Sequence, residues 1–126
     1  MWWTACLIAL ASTAALAAED VDGSLAKLPP KDRSGLLDRM EQDLFDGPAS
    51  RLRSVRLIDQ GRICGRVNPK NRMGAYIGYR SFMFDQQQND FVLGGDDADE
   101  TSKALVAAVC DKVGAEEIKK LLAPKP

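Results

Sequence analysis

Cys64 and Cys110 constrain this chain more than any other feature of its sequence. The third cysteine, Cys6, stands in an uncharged apolar segment, Met1-Trp-Trp-Thr-Ala-Cys-Leu-Ile-Ala-Leu-Ala, that runs on into Ser12-Thr-Ala-Ala-Leu-Ala. Ala15-Leu16-Ala17 fits the small-x-small pattern at which signal peptides are cut, and Glu19 and Asp20 follow at once. No Lys or Arg precedes the apolar stretch. Two other readings stay open. The stretch of about 17 residues is at the lower limit for an uncleaved membrane anchor. Lipidation at Cys6 is the other, although almost no apolar region precedes that residue. The expectation is cleavage after Ala17, so that residues 1–17 are a signal peptide. The protein is then periplasmic or secreted, with no stable membrane span after cleavage. Removing the leader leaves an even pair of cysteines in an oxidising compartment, which predicts a Cys64–Cys110 disulfide over two reduced structural thiols. Such a bridge closes a loop of about 47 residues, for which chain entropy gives on the order of 4 kcal/mol.

The 126 residues amount to one domain with a thin core, for which a covalent staple matters. Residues 18–28 read as a flexible, acidic and polar lead, and 29–126 as a single domain. Pro29-Pro30 opens a helix, Asp32 suits its dipole, and Leu36, Leu37, Met40 and Leu44 give one apolar stripe before Gly47-Pro48 stops it. The period then changes. Residues 54–59 and 62–68 read as strands around a Gln60-Gly61 turn, and 75–85 as a third strand rich in aromatics. After a polar loop at 86–90, Phe91-Val92-Leu93 is a short fourth strand. Asp96, Asp97, Asp99 and Glu100 mark the start of a last helix whose stripe is Leu105, Val106, Val109, Cys110 and Val113. A short further helix is expected over 115–122. Grouped strands between helices predict an α+β fold: an N-terminal helix, an antiparallel meander of three to four strands, and a C-terminal helix tied to the sheet by the disulfide. Alternation puts Cys64 on the side of Arg62 and Arg66, opposite Ile63 and Val67. Either this strand lies at an edge or the two helices cover different faces.

The run from Cys64 to Phe82, Cys-Gly-Arg-Val-Asn-Pro-Lys-Asn-Arg-Met-Gly-Ala-Tyr-Ile-Gly-Tyr-Arg-Ser-Phe, resembles a group of small exported bacterial proteins without an assigned function. Their pattern is Cys-Gly-x-Val-Asn-x-Lys-Asn-x-x-Gly-Gly-Tyr-x-Gly-x-x-x-Phe. Ala75 stands where a second Gly is usual; every other specified position matches. Upstream, Asp46, Arg51, Arg53 and Val55 fit a looser part of the pattern, with Leu52 in place of Phe. The resemblance covers roughly residues 46–85. It implies an envelope protein and no particular activity.

Chemistry is bounded by what the sequence holds. The chain has no histidine, which removes the commonest metal ligand and general base. It has no nucleophile elbow, phosphate loop or dinucleotide fingerprint. No catalytic residue, metal site or cofactor is expected. The acids at 96–100 lack the spacing of a calcium loop and read as a helix cap. The charge is near balance, with 17 Lys and Arg against 18 Asp and Glu, but it is segregated. Arg51, Arg53, Arg56, Arg62, Arg66, Lys70, Arg72 and Arg80 face only Asp59 within their stretch, whereas residues 85–100 carry acids and no base. Two readings compete: these cations pair internally with the 85–100 acids, or they bind a partner. For the second, Arg62, Arg66, Lys70, Asn71, Arg72 and Tyr76 are the candidate contacts for an anion or partner. The turn formers among residues 68–78 are otherwise structural punctuation. The expected function is a non-catalytic periplasmic or envelope binding module. Its partner is an envelope protein or an anionic glycan, with no role for nucleic acid. The alternative is a structural accessory subunit that pairs through a sheet edge.

Overall fold

A computed structural model of the chain describes residues 18–58 and 61–111. The strands are β1 (Glu19–Asp20), β2 (Arg51–Leu57), β3 (Arg62–Asn68), β4 (Arg80–Asp85) and β5 (Asp90–Leu93), and the helices are α1 (Pro30–Asp43) and α2 (Glu100–Cys110). The fold is α+β. Strands β2 to β5 form an antiparallel meander, and the sheet order is β1-β2-β3-β4-β5. One element departs from a pure meander: β1 pairs with β2 in parallel, Glu19 beside Arg51 and Asp20 beside Leu52. The expected helix at 115–122, Val113 and the signal segment lie outside the described residues.

Residues 18–28, read from sequence as a loose lead, are built into the fold. Leu25 and Leu28 are buried in the core. The same segment repairs a fault in β2, where the register slips between Arg53 and Arg56 and Ser54 takes φ 53°. A bulge of this kind leaves backbone donors without a ladder partner. Here the Ser54 N–H donates to Asp22 Oδ2 at 2.9 Å, and the Val55 N–H donates to Ser24 Oγ at 2.8 Å. Ser24 Oγ in turn donates to Asp22 Oδ1 at 2.6 Å.

These bonds favour the charged carboxylate. The Ser24 hydroxyl, then the Ser54 N–H, hold the Asp22 pKa down from its ordinary 3.8 to about 2. A carboxyl whose pKa is lowered on folding adds stability that is fully present above its unfolded value and is lost as pH falls through the folded one. Wild-type protein should therefore lose stability between pH 3.8 and about 2, and Asp22→Asn should lose less across that window. Denaturant midpoints measured at pH values spanning the window check this; parallel pH curves for the two proteins would refute it.

The two helices cover different faces of the sheet, and this settles where Cys64 points. On one face Leu52, Ile63, Val67, Phe82 and Phe84 pack with Leu36, Met40 and Leu44 from α1 and its exit. On the other, Cys64 and Met83 pack with Val106 and Cys110 of α2. Cys64 and Met83 are direct cross-strand partners. The Cys64–Cys110 disulfide joins this second face, with a Cα–Cα distance of 5.7 Å. Asp99 caps α2, accepting from the Ser102 N–H at 2.8 Å, and Ser102 holds the Asp99 pKa below its ordinary value. At the other end of α2, Arg56 Nη2 donates to the Cys110 carbonyl at 3.0 Å, a cation where the helix dipole favours one. Leu105, expected in the buried stripe, is instead 38% exposed; Ala104 and Val106 take the inward positions.

The third strand starts later than the aromatic run suggests. Its ladder with β3 begins at Arg80 beside Val67, and residues 69–79 form a loop with one isolated bridge, Lys70 to Tyr76. Gly78 breaks the extended run. It sits at φ 101°, and its N–H is captured by Asn68 Oδ1 at 2.8 Å. Ala75 is not among the residues with positive φ, so its side chain brings no backbone strain there.

Candidate functional site

The 69–79 loop doubles back toward β2. Tyr76 reaches the α1–β2 connection, where its hydroxyl donates to the Ala49 carbonyl at 3.0 Å. Asn71 Oδ1 accepts the Met73 and Ala75 N–H groups at 3.0 and 3.1 Å, which closes the tip. The polar atoms expected to touch a ligand at Asn71 Oδ1 and the Tyr76 hydroxyl are thus bonded within the protein. What the loop offers outward is cations and rings. The Arg51 guanidinium lies 4.0 Å from the Tyr76 ring centroid, Lys70 Nζ lies 5.1 Å from the same ring, and Arg53 lies 3.9 Å from the Tyr79 ring. Arg72, exposed near the tip, stands 5.8 Å from the ring of Phe45.

Arg53 and Arg66 are direct cross-strand partners on β2 and β3, so their side chains share one sheet face. Like charges placed opposite one another oppose pairing. Among the described residues no carboxylate comes within ion-pair distance of Arg53, Arg66, Lys70 or Arg72. Arg51 is engaged: its Nε lies 3.0 Å from Glu19 Oε2, and that hydrogen bond raises the Arg51 pKa. The pair is exposed on both sides and adds little stability.

The structure divides the residues singled out from sequence. Arg66, Lys70 and Tyr76 come together with Arg51, Arg53 and Tyr79, and Arg72 stands further along the same loop. Arg62 does not join them. It lies on the same strand about 13 Å from Arg66, beyond Cys64, and its Nε is 3.6 Å from Asp85 Oδ2. Internal pairing with the 85–100 acids is therefore real but partial: it takes Arg62 and, through Asp97 at 3.0 Å, Arg80. Arg53 and Tyr79 were not among the sequence candidates. Alternation along 51–53 places Arg53 on the face opposite Leu52 and is the signal that points to it.

Most of the distinctive residues between Cys64 and Phe82 have a structural task. Cys64 makes the disulfide, Asn68 pins Gly78, Asn71 closes the loop tip and Tyr76 anchors the loop to Ala49. Gly65 gives room to Phe82: a Cβ there would lie 2.8 Å from the ring. No protein family matches the chain, and no similarity to a curated protein or to a solved structure was found. Among the described residues no helix is long and apolar enough to cross a membrane, and no three Cys, Asp or Glu side chains gather as metal ligands would.

Proposed function

We propose that the protein is a non-catalytic binding module of the periplasm or cell envelope, akin to the exported proteins that its Cys64–Phe82 run resembles. Its working surface is Arg53 and Arg66 on the sheet with Lys70 and Arg72 on the 69–79 loop, and its partner is anionic: an acidic glycan or an acidic envelope protein. One observation carries the reading. Arg53 and Arg66 face each other across the sheet with no carboxylate of the described residues to balance them. Guanidinium groups suit bidentate contact with carboxylate, sulfate or phosphate, and a bound anion relieves the repulsion between the two. The disulfide supports an oxidising compartment.

The test is pull-down from envelope extract with the tagged protein, at low and high salt, for wild type and for the double variant Arg66→Glu, Arg72→Glu. Both side chains are exposed and neither makes an ion pair among the described residues, so stability should change by less than about 1 kcal/mol. Capture should fall at least about tenfold, and added salt should mimic the loss. Unchanged capture by the double variant would remove the basic face from the function; an unfolded variant would make these residues structural.

A further inference from the structure

We infer that the outer edge of β5 accepts an extended, lysine- or arginine-bearing segment of another protein as an added strand. This site is separate from the basic surface, which is carried by β2, β3 and the 69–79 loop.

The backbone comes first. β5 ends the sheet. The Gly94 N–H donates to the Ser81 carbonyl at 2.7 Å, and pairing in an antiparallel ladder alternates from there. Asp90 and Val92 therefore turn their backbone groups toward β4, and Phe91 and Leu93 turn theirs outward. Among the described residues nothing bonds the outward N–H and C=O groups of Phe91 and Leu93. Proteins usually blunt such an edge by covering or bending it.

Here the edge opens into a groove of about 650 Å³ instead. The whole of β5 lines it, together with Asp43 at the end of α1, the Asp97–Asp99 approach to α2, and Thr101, Ser102 and Leu105 of α2 itself. The two helices, on opposite faces of the sheet, thus bracket the open strand. Leu105, turned away from the α2 core, is part of the wall. An added strand would bond Phe91 and Leu93 and send alternate side chains toward the two helices.

Charge selects the occupant. The groove holds Asp43, Asp90, Asp97 and Asp99 against Arg80 alone. Asp43 pairs with Arg39, Asp97 with Arg80, and Asp99 caps α2, while Asp90 is exposed with no ion pair among the described residues. The balance is negative and favours a cationic segment. It also disfavours a second copy, because pairing β5 with β5 would bring two acidic rims together.

The probe is a short synthetic peptide alternating lysine and valine, titrated into the folded protein while amide exchange and amide chemical shifts are followed. Saturable binding that slows exchange of the Phe91 and Leu93 amides is expected. Asp90→Lys should weaken it by about three- to tenfold, since one exposed attraction becomes a repulsion. A glutamate–valine peptide, and a lysine–valine peptide methylated on alternate backbone nitrogens, should not bind. The idea fails if no saturable binding occurs, if either control peptide binds equally well, or if the protected amides lie on β2 or β3. It fails as well if the protein alone dimerises through β5, since the occupant is then a second copy. The Arg66→Glu, Arg72→Glu variant should bind the peptide normally, so this result and that for the basic face can fail independently.

Discussion

Replacing Cys64 and Cys110 together with serine is expected to lower stability by about 4 kcal/mol in urea denaturation. The bridge spans 46 residues, and the chain-entropy estimate for a loop of that length gives this value. Packing makes the loss severe. Among the described residues, the cluster on the α2 face of the sheet has four buried members, Cys64, Met83, Val106 and Cys110, and the two cysteines are half of them. A domain of this size has about 5–15 kcal/mol of stability in all. The loss should therefore be a large part of the whole, and it should appear under a reductant in the wild-type protein too. A stability change below about 1 kcal/mol on reduction would mean that α2 docks without the bond.

Phe82→Ala should cost about 3–5 kcal/mol, the usual range for emptying a buried aromatic site. Phe82 is fully buried, stacks on Phe91 with ring centroids 5.5 Å apart, and lies over Gly65. The contact with Gly65 gives the prediction a second part. A Cβ at residue 65 meets the Phe82 ring at 2.8 Å and the Val55 Cα at 3.2 Å, so Gly65→Ala alone should cost about 1–3 kcal/mol through overpacking. In a Phe82→Ala background the obstacle is gone and the added methyl fills part of the cavity. The double variant should be more stable than the sum of the single losses predicts. Strict additivity would show that the glycine serves its backbone rather than the ring.

Much of this fold is written in local pattern. β3 occupies residues 62–68 as read, because a turn signal precedes it and Asn-Pro follows it. The start of α2 is legible in its acids, since an N-cap needs a side-chain acceptor where Asp99 stands. What escaped the sequence reading is non-local. β1 is two residues long and parallel, too short for any periodicity, and its place depends on a bulge more than thirty residues away. Residues 75–79 carry the aromatics of a strand, yet hydrogen bonds from Ala75 to Asn71, from Tyr76 to Ala49 and from Gly78 to Asn68 hold them in a loop. The candidate site divides along the same line. The register of β2 against β3 gathers Arg53 with Arg66, and pairing with Asp85 across β3 and β4 takes Arg62 elsewhere.

The arrangement of Arg51 over Tyr76 and Arg53 over Tyr79 has an optical consequence. The chain contains two tyrosines, and the loop holds both. Its two tryptophans, Trp2 and Trp3, stand within residues 1–17. In protein that begins at Ala18, every fluorophore that emits strongly under near-ultraviolet excitation therefore lies beneath a guanidinium of the basic face. An anion that draws those arginines away changes the surroundings of both rings at once. Protein that begins at Ala18 thus carries an intrinsic optical reporter confined to one surface, and a titration followed by tyrosine emission reads that surface without a label.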